Sequence, residues 1–350
     1  MNKTLNKSAP VLQAFLAAVL FGISIPFSKL LLTSIPPIFL AGLLYFGAGL
    51  GMSVVSSVNS KKSAYKESSL AKSDLRWVIV IVILNILAPI LLLFGLAITT
   101  SANASLLFNF EIAATALAAA VFFKEALNKR IITAILLILT ASIILSFETS
   151  NTLNFSAGSL LVLGACICWG FENNCTRNIS GKNPAQIVIV KGLFAGGAAI
   201  VIGLLTEKIS FGIVQVFFAM ALGFFSYGLS VFFYIKAQRD LGAARTSAYY
   251  AVSPFVGVLF SFIFFGADLG LKFIIAFIIM SIGTYLSVTE NHSHTHTHEA
   301  IEHEHRHSHD DGHHNHNEGE ISEEHTHLHK HNEITHTHKH TPDIHHRHKH

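Results

Sequence analysis

Between Ile86 and Glu125 the chain reads ILAPILLLFGLAITTSANASLLFNFEIAATALAAAVFFKE, and inside that apolar run stands Glu111, with Asn109 two residues before it. A carboxylate at bilayer depth costs roughly 2.5–3.5 kcal/mol on insertion scales, so it faces a protein interior or a water-filled cavity. Two kinds of chemistry fit it. It binds a cationic part of a substrate or a coupling proton, or it makes a structural hydrogen bond between helices. Other polar residues share such apolar surroundings: Asn85, Glu172, Asn173, Asn174, Lys191, Tyr227, Tyr249, Tyr250 and Ser253. Lys191 is a candidate counter-charge for Glu111 or Glu172, because an unpaired cation does not sit in lipid unless its stem reaches the interface. Glu172 either pairs with nearby Arg177 or lines a cavity. Tyr249, Tyr250 and Ser253 either pack or wall a cavity opposite Glu111.

A second chemistry is set apart at the C-terminal end. All 22 histidines lie between His292 and His350. They alternate with Thr, Ser, Glu and Lys: His292, His294, His296, His298, His303, His305, His307, His309, His313, His314, His316, His325, His327, His329, His331, His336, His338 and His340 are the candidate metal ligands. Neutral imidazole ligates Zn, Ni, Co and Cu, and His-x-His spacing in a flexible chain lets several imidazoles gather around one ion. A solvated tail that responds to pH is the alternative. With no apolar periodicity, residues 291–350 are expected to be disordered.

Composition separates the two regions. Overall 51% of the 350 residues are hydrophobic and 13% are charged, against about 25% charged in soluble domains. Residues 1–290 hold 19 Lys and Arg against 10 Asp and Glu, a net of +9; residues 291–350 hold 5 against 11, a net of −6 with neutral His. The first region is a polytopic membrane protein. No nucleophile–base set, phosphate loop or nucleic-acid motif occurs, so an enzyme is not expected. Cys166, Cys168 and Cys175 fall in one apolar stretch and read as core packing. The run from Val11 to Leu32 is too long for a signal peptide's apolar region and reads as an uncleaved first helix.

Ten spans must position these residues: Val11–Leu32, Pro37–Val58, Trp77–Ile98, Ala102–Phe123, Ile131–Phe147, Ala157–Thr176, Pro184–Leu205, Val214–Ile235, Ala243–Phe265 and Leu271–Val288. Most exceed the roughly 17 residues that cross the hydrocarbon. With the N-terminus in the cytoplasm, the inner segments hold fifteen Lys and Arg, and the outer ones only Lys208 and Lys272. That asymmetry fixes the orientation and returns the His-rich tail to the cytoplasm. Phe21–Lys29 (FGISIPFSK) in span 1 parallels Trp169–Arg177 (WGFENNCTR) in span 6. A five-span unit crosses an odd number of times, so its repeat is inverted, with a site expected near the midplane. Gly47 with Gly51, and Gly192 with Gly196, are small-residue pairs for close helix packing. Pro26, Pro89 and Pro254 are expected inside helices as kinks.

Three segments carry a family resemblance: APILLLFGLAITTSANASLLFNFE (Ala88–Glu111), ACICWGFENNCTRNIS (Ala165–Ser180) and SYGLSVFFYIKAQRDLGAARTSAYYAVSPFVG (Ser226–Gly257), joined by FKE at Phe123–Glu125. With these, residues 10–290 resemble the EamA-type ten-helix transporters of the drug/metabolite transporter superfamily. Two family features are absent. The acid often found after span 9 is replaced by Ala267 beside Asp268, and an Arg common in span 2 finds only Leu44 and Tyr45. The resemblance implies transport, favours export and leaves the cargo open.

The expectation is therefore an all-α polytopic membrane protein: a cytoplasmic N-terminus (1–9), two inverted five-helix repeats (10–148 and 157–290) joined by a linker (149–156), and a disordered tail (291–350). It sits in a bacterial-type inner membrane with both termini cytoplasmic. It exports small organic metabolites by alternating access, needs no cofactor and binds transition metal at its tail; a homodimer is compatible with this layout. Metal or metal-chelate efflux fed by the tail is the alternative, and a membrane-tethered metal buffer the remote one.

Overall fold

Apolar runs this long fold as helices because, without water, each backbone N–H and C=O must find its partner inside the segment. The computed structural model describes residues 8–60, 68–123, 129–147, 156–179, 182–208, 212–241, 246, 249–266 and 270–288, with 292–298, 302–307, 325–330 and 334–340 in the tail. Its helices are α1 (Ser8–Gly22), α2 (Ser24–Leu31), α3 (Pro37–Ser60), α4 (Leu75–Ile98), α5 (Ser101–Leu107), α6 (Phe110–Phe123), α7 (Lys129–Ser146), α8 (Ala157–Arg177), α9 (Pro184–Thr206), α10 (Ile213–Gly223), α11 (Ser230–Leu241), α12 (Ser253–Phe265) and α13 (Leu271–Val288). Span 1 is α1 with α2, span 4 is α5 with α6, and span 8 is α10 with α11; span 9 is α12 preceded by helical residues 246 and 249–250, and the other spans are single helices.

Eight of these spans are long and apolar enough to cross a membrane. Span 6 has the length, 21 residues, but its Glu172-Asn173-Asn174 run makes it less apolar. Span 9 is interrupted: its helix α12 has 13 residues, and a turn at residues 251–252 separates it from helical residues 249–250. Pro254 therefore lies in the first turn of α12, where its missing N–H costs nothing, and not inside a helix as the span boundaries suggest. Pro89 does lie inside α4.

The helix pairs with the most extensive packing repeat under an exchange of the two five-span sets. Spans 2 and 7 (α3 and α9), spans 5 and 10 (α7 and α13) and spans 4 and 9 (α5 and α12) pair with their own counterparts. Span 3 against span 6 (α4 and α8) is matched by span 8 against span 1 (α11 and α1). Span 4 against span 6 (α6 and α8) is matched by span 9 against span 1 (α12 and α1). Such an exchange is what a duplicated five-helix unit produces.

The α3–α9 pair packs most extensively, and glycine permits its approach. A methyl group on Gly192 would stand 2.7 Å from Gly49 Cα, and one on Gly42 2.6 Å from Ile200 N. The Gly192–Gly196 pair faces α3, whereas Gly47 and Gly51 face Met220 and Phe224 of span 8. Both ends of α9 are tied. At one end Glu207 accepts hydrogen bonds from Ile38 N (2.9 Å) and Phe39 N (2.8 Å) in the first turn of α3. At the other, Leu70 N donates to Gln186 Oε1 (2.9 Å) and Asn183 N to Ser68 O (2.9 Å).

Among the described residues four spans are irregular partway along. Span 1 breaks at Ile23, span 4 breaks at Phe108–Asn109, span 8 carries a π-helical stretch at Phe224–Leu229, and span 9 breaks at Ala251–Val252. Broken and π-bulged helices expose backbone groups and re-aim side chains, and they recur at binding sites.

Residues 291–349 form a separate unit. There β1 (His292–His298) pairs antiparallel with β4 (Ile334–His340), and β2 (Glu302–His307) with β3 (His325–Lys330). The other tail residues lie outside the described ones. The alternation of His with Thr, Glu and Ser has the two-residue period of a strand, and Thr favours extended backbone. A two-stranded ribbon without an apolar face is marginal in water.

Candidate functional site

The break in span 4 creates the site. Glu111 N bonds Phe108 O at 3.0 Å and Ile112 N bonds Asn109 O at 3.1 Å, a tight turn between α5 and α6. Asn109 is fully buried and holds this turn. Its Nδ2 donates to Leu106 O at 3.1 Å, and its Oδ1 accepts from Thr284 Oγ1 of α13 at 3.1 Å. Both polar ends of Asn109 are thereby engaged, so it shapes the turn that sets Glu111 in the first turn of α6.

Glu111 is half-buried. Asn173 Nδ2, on α8, donates to Glu111 Oε1 at 2.7 Å and approaches Thr115 Oγ1 at 3.3 Å. Asn174 turns the other way, with Nδ2 donating to Thr115 O (3.0 Å) and to Gly170 O (2.8 Å), and so fastens α8 to α6. Among the described residues, the hydrogen-bond partner of the Glu111 carboxylate is a neutral amide, and no cation stands within ion-pair distance.

Glu172 has a different environment. It is 3% exposed, with Oε1 accepting from Thr176 Oγ1 at 2.8 Å and facing Lys191 Nζ of α9 at 3.5 Å. The structure thus places Lys191 beside Glu172 and not within ion-pair distance of Glu111. The Arg177 side chain lies outside the described residues.

Around these acids the spans contribute rings. Trp169 Nε1 donates to Tyr45 Oη at 3.2 Å, Tyr45 Oη donates to Asn85 Oδ1 at 2.9 Å, and Asn85 Nδ2 donates to Ile81 O at 2.8 Å. This chain crosses from α8 through α3 to α4. Ring centroids continue it: Trp169 to Phe108 at 5.1 Å, Phe108 to Phe21 at 5.3 Å, Phe21 to Tyr227 at 5.6 Å and Tyr227 to Tyr45 at 5.3 Å. Tyr250 joins through Phe21 at 5.8 Å and packs on Tyr234 at 4.8 Å. Tyr249 instead faces Phe15 of α1 at 4.9 Å, away from the ring cluster. Ser253 is buried, and its Oγ has no partner among the described residues. It lines a small recess with Phe21, Gly22, Phe108 and Gly257.

Comparison with known proteins agrees with this architecture. The sequence matches the EamA-like transporter family twice, over residues 8–147 and again over residues 156–289. The chain belongs to the EamA-like transporter family. The two matches coincide with the two five-span sets whose packing exchanges. Among curated relatives it is 26% identical over 289 residues to an uncharacterized transporter of Methanothermobacter thermautotrophicus, covering 77% of this chain and 83% of that one. It is 24% identical over 226 residues to the uncharacterized transporter YyaM of Bacillus subtilis, covering 61% of this chain and 73% of that one. A solved structure titled only as a protein crystal structure matches in fold, with a TM-score of 0.58 at 16% identity, over 80% of this chain and 96% of that one.

As an EamA-like transporter the chain is a multi-pass membrane protein, and the candidate site lies among helices of both repeats. Sequence reasoning missed Tyr45, Trp169, Phe108, Thr115 and Thr284. Only Tyr45 left a signal: a hydroxyl in an apolar span, with Asn85 available on the next one. Among the described residues no three His, Cys, Asp or Glu side chains gather as a metal site, and the side chains of the tail histidines lie outside that description.

Proposed function

We propose that this EamA-like protein is a secondary transporter that exports small organic metabolites by alternating access between its two five-helix repeats. The observation that carries this reading is Glu111. It is an acid at a helix break, half-buried among spans of both repeats, and its nearest donor among the described residues is neutral. A charge left in that state takes up either a proton or a cationic group, and exchange of one for the other is the elementary step of coupled export. The fifteen-to-two distribution of Lys and Arg between the two sides supports cytoplasmic termini in a cell membrane.

The tail binds divalent transition metals in this reading and acts as a buffer or sensor beside the membrane. Its His-x-His alternation supports metal binding. The metals are not the cargo of the core, where Glu172 is matched by Lys191 and Glu111 meets an amide donor. The test is the Zn, Ni, Co and Cu content of metal-challenged cells expressing the full chain, a chain ending at Glu290 and Glu111→Gln at matched levels. Metal content that depends on the tail and is indifferent to Glu111 agrees with this reading. Metal content lowered by the full chain and restored by both changes would assign metal efflux instead.

A further inference from the structure

We propose that the Glu111 site takes an organic amine carried on an aromatic body, and that its cargo class is aromatic monoamines. This rests on the transporter reading above and narrows it.

Charge selects the cation. Of the two acids at this depth, Glu172 is balanced by Lys191 at 3.5 Å, and Glu111 has the Asn173 amide at 2.7 Å. The ionised site therefore carries one negative charge in excess, which an ammonium group neutralises. A carboxylate ligand would add to that charge and find its nearest described cation, Lys191, already engaged. A bare divalent metal would need several oxygen or nitrogen ligands, whereas Asn173 presents its N–H to the acid.

The surroundings select the body. Asn173, which holds Glu111, stands one helical turn from Trp169 on α8, and Trp169 packs on Phe108, at the break just before Glu111, with centroids 5.1 Å apart, which ties the acid to the ring cluster of Phe21, Phe108, Trp169 and Tyr227. A cation next to ring faces gains cation–π attraction, and a flat apolar group stacks against the same rings. Ser253 Oγ, buried without a partner among the described residues and lining the recess beside Phe21 and Phe108, supplies one polar contact in an otherwise apolar recess. A buried hydroxyl without a partner is costly, and a ligand hydroxyl or amine N–H satisfies it.

The test uses Trp169 as its own reporter. The chain has two tryptophans, and Trp77, on α4 beside Arg76, is removed by Trp77→Phe. The full-length variant in lipid nanodiscs is titrated with 2-phenylethylamine, phenylalanine and 3-phenylpropionate, an amine, a zwitterion and an anion of similar shape. The proposal expects saturable quenching of Trp169 by the amine, at least tenfold weaker binding of the zwitterion and none of the anion. Glu111→Gln should weaken the amine at least tenfold, and Glu111→Asp, which keeps the charge, should retain it; the retained binding separates loss of the site from loss of the fold. Equal binding of the anion, or amine binding indifferent to Glu111→Gln, would overturn the proposal. If no amine binds while Glu111→Gln still stops export of some metabolite from cells, the amine class falls and the transporter reading stands. If the amine binds as expected and no export depends on Glu111, the site stands and the transporter reading falls.

Discussion

Asn173 and Glu111 meet across the seam between α8 and α6, with the amide nitrogen 2.7 Å from the carboxylate oxygen. The contact joins a helix of the second repeat to a helix of the first, so any motion of one repeat against the other stretches or breaks it. A hydrogen bond to a charged group contributes roughly 1.5–3 kcal/mol. Asn173→Ala is expected to slow export about tenfold or more through loss of that bond, while Glu111→Gln abolishes it. Initial export rates at matched expression measure both, and an Asn173→Ala rate equal to wild type would remove this contact from the mechanism.

Lys191 and Glu172 form an ion pair at 3.5 Å with little solvent around it. Removing one partner of a buried pair costs roughly 3–5 kcal/mol, whereas replacing both with neutral groups is often close to neutral. Lys191→Met alone should lower the thermal midpoint of the purified protein sharply, and adding Glu172→Gln should recover most of the loss. Additive losses in the double variant would mean that the two side chains act separately.

The α3–α9 crossing depends on Gly192, where an added methyl group would stand 2.7 Å from Gly49 Cα. Overpacking of this kind costs about 1–3 kcal/mol, so Gly192→Ala is expected to destabilise. Gly197, on the same helix, has nothing within 4 Å of an added methyl group, and Gly197→Ala should be neutral or slightly stabilising. Thermal unfolding in detergent compares them, with equal midpoints counting against the close crossing.

Glu207 holds the first turn of α3 through Ile38 N and Phe39 N. Acceptors at a helix N-terminus are worth about 0.5–2 kcal/mol. Glu207→Ala should lose stability in that range, and Glu207→Gln, which keeps one acceptor oxygen, should lose less. Melting curves of the two variants report this order directly.

The tail and the core are separable in this account. A chain ending at Glu290 is expected to keep the export activity and lose high-capacity binding of Zn and Ni, which equilibrium dialysis of the purified protein measures. Undiminished metal binding by the truncated chain would place the ligands elsewhere.

Spans and repeat were legible because the bilayer imposes them. Backbone pairing sets the length of each apolar run, and the cost of burying Glu111 made it the candidate. The helix breaks were not. In lipid both faces of a helix are apolar, so no periodicity marks where span 4 stops at Phe108 and restarts at Phe110. Pro254 carried the opposite error: a proline within an apolar run reads as a kink, yet it opens α12. The Tyr45–Trp169 contact was invisible because an aromatic ring in an apolar span looks like packing until a partner 124 positions away is placed against it. The glycine pairs signalled close packing without naming the partner, which depends on how helices assemble.

The most direct test of the central claim is the small-molecule content of the medium from cells expressing the wild-type chain, Glu111→Gln and the chain ending at Glu290. The account predicts that one or a few organic solutes accumulate outside cells carrying the wild-type and truncated chains, and that Glu111→Gln returns them to background at equal protein levels. An exported solute whose level is unchanged by Glu111→Gln would contradict it.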